Sequence, residues 1–206
     1  GNKIIIFNFP IFPSLEFKIQ KLFGLKENIL IIHNSNYRHG EAHSNEQKTY
    51  EKYVNYFKRF IIHTEKTEKF LKNLKETTDF SFVRFEIPYE ALTDYTRYKL
   101  PRSVSIPYCL FFGLVRPYKG LDLLIEAIKS SKSLNSNQFS LVIVGKFSGE
   151  TKYLKDNVNK LNCKTKIVDE YVPSKVMEGF LHNAKMLVMP YLDIDDSGVF
   201  AQARFF

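Results

Sequence analysis

Short apolar runs alternate with amphipathic stretches along most of the chain. Eight runs have the length and composition of buried strands, at residues 3–9, 28–33, 60–64, 80–85, 109–115, 140–145, 165–168 and 186–190. Between most of them, apolar residues recur at helical spacing and predict helices at 14–23, 45–58, 64–74, 120–130 and 173–182. Because uniformly apolar strands that alternate with helices are typical of parallel sheets covered on both faces, the pattern predicts an α/β fold.

The periodicity fails between residues 92 and 107, where the sequence is polar and contains Pro101. This stretch predicts a linker at 93–108 between an N-terminal domain at 1–92 and a C-terminal domain at 109–206. Ligands of open α/β sheets bind beyond the carboxyl ends of the strands. We therefore expect the functional site in a cleft between the two halves.

Composition narrows the class of protein. The chain has 206 residues, of which 44% are hydrophobic and 25% are charged, so it is neither disordered nor fibrous. No apolar run approaches the length of a membrane span. Two cysteines exclude a disulfide framework and predict a reducing compartment. The net charge of +8 is shared equally by the two halves, which favours anionic partners without indicating a basic arm for nucleic acid.

Residues 112–120 form the first candidate site, a strand end followed by a turn with two cations and the start of a helix. The turn places Arg116 and Lys119 at the carboxyl edge of a sheet, beside amides that already favour an anion. Arginine can bind two phosphate oxygens at once, and lysine adds a point charge, so a diphosphate fits there. The same residues also fit two solvated loop charges. The glycine patterns of P-loops and dinucleotide-binding folds are absent.

Residues 33–43 form the second candidate site, because they follow a strand and contain three of the five histidines. His33 can face the cleft, where an imidazole can bind a sugar hydroxyl or move a proton. The alternation of His39, Glu41 and His43 raises the alternative of a metal site. Its spacing matches no metal motif and no thiol assists, so we predict no metal, and exposure to solvent also explains His43.

Two further segments contain candidate ligand-binding residues. An acidic loop with Asp196 precedes Ser197 and Gly198, which open a helix whose free amides could bind an anion; an ordinary helix cap explains them equally well. Gly145 ends the apolar strand at 140–145. A glycine there lets the backbone approach a ligand, or simply turns the chain.

Taken together, these segments resemble the donor-binding half of glycosyltransferase family 4 in order and spacing. The resemblance rests on Phe-Phe-Gly-Leu-Val-Arg-Pro-Tyr-Lys-Gly-Leu-Asp-Leu-Leu-Ile-Glu-Ala at 111–127, the strand at 141–145, Asp-Glu-Tyr-Val-Pro at 169–173, the strand at 187–191 and Asp-Ser-Gly-Val at 196–199. A weaker similarity covers 28–92, through His33-Asn34, His39-x-Glu41 and Phe-Ile-Ile-His-Thr-Glu at 60–65.

The resemblance implies a GT-B architecture of two facing Rossmann-like domains, each incomplete here. It also implies transfer of a sugar from a nucleotide-diphosphate donor with retention, without an obligatory metal or a further cofactor. Catalytic roles would fall to His33, which touches the donor sugar, and to Arg116 and Lys119, which hold the diphosphate. The donor-binding residues implied are Gly113, Arg116, Lys119, Gly145, Asp196, Ser197 and Gly198.

A glycan or lipid-linked acceptor, as in bacterial cell-surface polysaccharide synthesis, is implied by the same resemblance. It suggests a cytoplasmic enzyme in peripheral contact with an anionic membrane and predicts no nucleic-acid partner. Relatives are longer than this chain, so we expect it to lack N- and C-terminal segments. The E-x7-E pair of the family is absent at 195–202, whereas Glu170 and Glu178 have that spacing one β-α unit earlier. A nucleotide-sugar epimerase and an inactive sugar-binding module remain alternatives.

Overall fold

The computed structural model describes residues 6–8, 13–24, 28–35, 44–75, 79–85, 100, 104, 107–192 and 197–206. The chain divides into two compact units, and each unit is built on a parallel sheet of four strands. The predicted α/β fold with two sheets is confirmed. None of the described helices has the length and hydropathy of a membrane-spanning helix.

The first unit has the sheet order β1-β2-β3-β4. Its elements are β1 (Ile6–Phe7), α1 (Pro13–Leu22), β2 (Ile29–Ile32), α2 (Ser44–Tyr56), β3 (Arg59–Ile62), α3 (Glu65–Leu74) and β4 (Ser81–Arg84). Ile32 pairs with Ile62, and Ile62 with Arg84, so three of these strands end at the same level. The residues after them therefore share one edge of the sheet.

Alternating strand residues build the core of the first unit. Leu30 and Ile32 of β2 point to the same face because side chains alternate along a strand, and Phe60 and Ile62 of β3 do likewise. Helix α2 covers this face with residues at helical spacing, namely Tyr50, Tyr53, Val54 and Phe57. All of these side chains are buried, so the position of the carboxyl edge is set by a packed core.

The second unit has the sheet order β7-β6-β5-β8. Its elements are β5 (Cys109–Phe112), α4 (Leu121–Ser130), β6 (Ser140–Val144), α5 (Leu154–Asn159), β7 (Lys164–Val168), α6 (Ser174–Asn183), β8 (Met186–Leu187) and α7 (Gly198–Ala203). β5 and β6 lie in the middle, as their uninterrupted apolar sequences predict.

Both faces of this second sheet are covered. Phe111 and Ile143 pack with α4 and α5 on one face, whereas Leu110 and Val142 pack with α6 on the other. Tyr108 is buried with the second group, and its hydroxyl donates to the Phe180 carbonyl at 2.7 Å. A sheet buried on both sides explains why its central strands are apolar throughout.

Some element boundaries differ from the sequence-based prediction. β5 ends at Phe112 rather than at 115 because Gly113, with a φ of +104°, interrupts the regular strand, although Val115 still pairs with Phe147 in an isolated bridge. α5 was not predicted, since its six residues are too few and too polar to show a helical period. Of the predicted linker, only residues 100, 104, 107 and 108 are described, so its limits stay a prediction.

Candidate functional site

The turn after β5 is the centre of the candidate site in the second unit. The Gly113 amide donates to the Val144 carbonyl and the Val115 amide donates to Lys146, each at 2.9 Å, so the turn is held against the end of β6. A 3-10 turn at Pro117–Lys119 follows and leads through Gly120 into α4. The sequence thus places Arg116 and Lys119 at the carboxyl edge of the sheet, as predicted.

Lys119 is a buried cation, with 7% of its surface exposed. Its Nζ lies beside Gly113, so close that a Cβ at that position would be 2.6 Å from it. The same Nζ lies 5.1 Å from the centre of the Tyr191 ring, within range of a cation-π interaction. Among the described residues, no carboxylate forms an ion pair with this ammonium.

The electrostatics of the turn favour an incoming anion. Burial, together with the nearby charge of Arg116, lowers the pKa of Lys119 to about 8. Arg116 is half-buried and precedes the 3-10 turn. A buried ammonium beside a second cation is unfavourable, and an anion bound between them would relieve both the repulsion and the desolvation.

Gly120 allows a distant segment to close over this turn. Its φ is +67°, and a Cβ there would overlap the carbonyl oxygen of Pro190. The Leu192 amide donates to the Tyr118 carbonyl at 2.8 Å, which fixes the segment beyond β8. This contact positions Tyr191 over Lys119. Tyr191 was not singled out from the sequence, because its role depends on a contact between segments far apart in the chain.

The amino end of α4 lies next to Lys119. Gly120 is the N-cap and provides no side-chain cap, so first-turn amides are available as hydrogen-bond donors. The ten-residue helix adds a favourable dipole for an anion, partly opposed by Asp122 in its first turn. The amides and the two cations together form a donor set that suits a diphosphate.

The cations after β6 and in α5 have a different environment from Lys119. Asp169 accepts a hydrogen bond from Lys155 and another from the Phe147 amide at 2.8 Å, and Lys146 lies 3.8 Å away. These two hydrogen bonds hold the pKa of Asp169 below its usual value, and the one from Lys155 has the larger effect. Lys146 and Lys155 therefore share a carboxylate, which Lys119 lacks among the described residues.

The predicted glycines and the second helix start lie around the same turn. Gly145 follows β6, and a Cβ at that position would lie 2.0 Å from the carbonyl oxygen of Gly113. Val199, the residue after Gly198, packs against Gly113. A Cβ at Gly113 would lie 3.2 Å from the Cγ2 atom of Val199. Ser197 precedes α7, which has only six residues, and Asp196 lies outside the described residues.

A cleft of about 380 Å³ lies along β7 and α6 in the same unit. Its lining residues are Lys166, Ile167, Val168, Asp169, Glu170, Val172, Val176 and Phe180. Cavities of this size accommodate small organic ligands. Sequence reasoning missed the cleft because two separate elements form it, although Asp-Glu-Tyr-Val-Pro at 169–173 marks one side.

The first unit contains the remaining predicted residue, His33. It follows β2 at the carboxyl edge, where its Nε2 and the Asn8 Oδ1 are 2.8 Å apart, and its ring stacks on His63 at 5.0 Å. His39, Glu41 and His43 lie outside the described residues. Within the described ranges, no group of three or more His, Cys, Asp or Glu side chains could hold a metal ion.

Comparison with known families decides the identity of the fold. Residues 96–198, half of the chain, match the family described as glycosyl transferases group 1. The chain belongs to this family. The match includes the turn with Arg116 and Lys119, and it ends at Gly198. Comparison with curated protein sequences gives no significant match.

Three solved structures illustrate the fold that this chain shares with known proteins. HepE of Anabaena, in complex with UDP and glucose, has a TM-score of 0.65 at 14% identity, over 93% of this chain and 53% of that chain. The trehalose 6-phosphate synthase of Burkholderia multivorans has a TM-score of 0.69 at 9% identity, over 98% and 54%. WaaG, a glycosyltransferase involved in lipopolysaccharide biosynthesis, has a TM-score of 0.56 at 14% identity, over 92% of this chain and 60% of that chain.

These similarities confirm the GT-B type of fold, with Rossmann-like domains. The chain spans little more than half the length of HepE and of the trehalose 6-phosphate synthase.

The two glutamates that show the E-x7-E spacing occupy unlike environments, since Glu170 is exposed after β7 and Glu178 is buried in α6. They are therefore unlike a pair that approaches one ligand.

Proposed function

We propose that this chain is part of a transferase that moves a sugar from a nucleotide-diphosphate donor to an acceptor, with retention. The observation that carries the proposal is the buried ammonium of Lys119, which lies beside Arg116 and the amides of α4. Among the described residues, no carboxylate neutralises it. The proposed partner is therefore the diphosphate of a nucleotide sugar, with no further cofactor.

In the proposed mechanism, Arg116 and Lys119 bind the diphosphate and stabilise it as a leaving group. Negative charge grows on the phosphate as its bond to the sugar breaks, and cations already in place offset that charge without reorganisation. Lys119 is desolvated, so its interaction with the developing charge is stronger than that of an exposed lysine. His33 is proposed to contact the sugar. Gly113, Gly145, Asp196, Ser197 and Gly198 are proposed to line the donor site.

The proposed acceptor is a glycan or a lipid-linked sugar in bacterial cell-surface polysaccharide synthesis. Two observations support it: the net charge of +8, which suits an anionic surface, and the fold shared with WaaG, which is involved in lipopolysaccharide biosynthesis. The proposed location is the cytoplasm, with peripheral contact to the inner face of the membrane.

A transfer assay tests the proposal directly. The chain is incubated with a panel of nucleotide-diphosphate sugars and with glycan and lipid-linked acceptors, and products are identified by mass spectrometry. We expect transfer from one donor, with the anomeric configuration kept. Nucleic-acid binding with a steep salt dependence, or no affinity for any nucleotide sugar, would contradict the proposal.

One observation favours a second candidate function, that of a sugar-binding module without turnover. Residues 195–202 contain aspartates and a glutamine where the family has glutamates. Affinity for a nucleotide sugar without transfer would support this candidate. Epimerisation of the donor sugar would support the nucleotide-sugar epimerase instead.

The pKa of Lys119 predicts a pH dependence of nucleotide binding. The free protein loses this charge as the pH rises through about 8, whereas a bound diphosphate stabilises the charged form. The affinity for a nucleoside diphosphate should therefore fall to about a tenth between about pH 7 and pH 9, a range in which the terminal phosphate is already fully charged. Titration calorimetry across this range measures it, and a flat profile for the wild-type chain would contradict the assignment of Lys119.

A further inference from the structure

His63 lies beside His33 at the carboxyl edge of the sheet in the first unit. β2, β3 and β4 end in register, so His33, His63 and Phe85, the residues that follow them, form a row along this edge. His63 is a residue to which the proposed mechanism gives no role. It lies in the segment at 60–65, which sequence analysis used only for the family resemblance.

Two aromatic neighbours fix the orientation of the His63 ring. The His33 ring stacks on it, with centroids 5.0 Å apart and an interplanar angle of 23°. The Phe85 ring meets it edge-on at 5.6 Å and 81°. A ring held in this way needs little further ordering when a ligand binds, which favours binding.

A hydrogen bond between His63 and the backbone defines which ring nitrogen carries a proton. Nδ1 lies 2.9 Å from the Phe85 carbonyl oxygen, and a carbonyl only accepts, so Nδ1 is the donor. In the neutral imidazole, Nε2 therefore carries the lone pair. This Nε2 is buried and has no hydrogen-bond partner among the described residues.

A buried polar atom without a partner calls for an explanation, because such atoms are rare in native proteins. The His63 ring as a whole is only half-buried, so the atom lies close to the surface of the edge. A lone pair at that position can accept a hydrogen bond from a donor group of a ligand. Hydroxyl groups are the donors that a sugar offers in greatest number.

We propose that Nε2 of His63 accepts a hydrogen bond from a hydroxyl group of a sugar substrate. The proposal rests on the proposed transferase function and adds a substrate-contacting residue to it. The hydroxyl can belong to the transferred sugar or to the acceptor sugar, since both offer the same chemistry. The experiment below has one arm for each source.

Matched variants separate the two nitrogens of His63. His63→Asn keeps an amide that can donate to the Phe85 carbonyl and has no atom at the Nε2 position. His63→Gln places an amide oxygen near that position and so keeps an acceptor. His63→Phe keeps the stacked ring and removes both nitrogens, which gives a second test if the asparagine variant does not fold.

The donor arm compares a nucleotide sugar, chosen from the donor panel, with its own nucleoside diphosphate by titration calorimetry. If the hydroxyl belongs to the transferred sugar, His63→Asn should weaken binding of the nucleotide sugar about tenfold and leave the nucleoside diphosphate unchanged. The acceptor arm measures the KM for the acceptor in the transfer assay, which should rise about tenfold if the hydroxyl belongs to that sugar. His63→Gln should recover much of the loss in either arm.

Two results would overturn the inference. One is no change in either arm for a folded His63→Asn or His63→Phe variant. The other is an equal loss of affinity for the nucleoside diphosphate, which indicates a general structural defect. If the wild-type chain binds no nucleotide sugar at all, the proposed function itself fails, so the two failures are distinguishable.

Discussion

Lys119→Ala should weaken the binding of nucleoside diphosphates at least tenfold, about 1.4 kcal/mol. The reason is the desolvation of this ammonium, which makes each contact with a phosphate oxygen stronger than at an exposed lysine. Charge-assisted hydrogen bonds contribute about 1.5–3 kcal/mol, so the loss can approach a hundredfold. Titration calorimetry with the nucleoside diphosphate at about pH 7, below the lowered pKa of Lys119, measures the change.

Lys129→Ala is the matched control for this variant. It removes the same charge from the far end of α4, where Lys129 forms an exposed ion pair with Glu126. Its affinity should match that of the wild type. Lys119→Ala should still fold, because the packing that it loses is offset by removal of a buried cation without an ion-pair partner among the described residues. Equal affinities for a folded Lys119→Ala variant and the control would rule out the diphosphate site.

Gly145→Ala should destabilise the second unit by about 3 kcal/mol or more. Gly145 has a φ of +148°, a conformation that residues with a Cβ rarely adopt. The new methyl group would also overlap the carbonyl oxygen of Gly113, which is backbone and cannot rotate away. Because Gly113 lies against Nζ of Lys119, the shift should weaken nucleotide binding as well.

Gly149→Ala controls for the loss of a glycine in the same unit. A Cβ at Gly149 would meet nothing within 4 Å, and its φ is not in the left-handed range. Its unfolding free energy should stay within about 1 kcal/mol of the wild type. Urea denaturation followed by circular dichroism measures both variants. A Gly145→Ala variant as stable as Gly149→Ala would show that the two strand ends are not in contact.

The sequence was sufficient to predict the sheets because its central strands are buried on both faces. β5 and β6 read as uninterrupted apolar runs, and their predicted starts at 109 and 140 match the structure. Both strands end earlier than predicted, at Phe112 rather than 115 and at Val144 rather than 145. Gly113 and Gly145 interrupt the regular strands there with positive φ values, and a glycine in a sequence shows only that such a conformation is allowed.

The positions of site residues could be predicted from the sequence only where those residues lie on one continuous segment. Arg116 and Lys119 lie on a single turn, so their position beside α4 followed from local sequence. The cover that Tyr191 provides and the stack between His33 and His63 arise from separate segments. Local patterns contain no information on such contacts, so the burial of Lys119 and of the His63 Nε2 could not be foreseen.

The closure of the chain beyond β8 over the turn at Gly120 also sets the order in which this site can form. The turn is synthesised before Pro190 and Tyr191, so Lys119 gains its contact with the Tyr191 ring only after the chain beyond β8 has docked. At the proposed diphosphate site, a nascent chain that ends before β8 would have both cations without this cover over Lys119. We therefore expect strong nucleotide binding only from chains in which the second sheet is already complete.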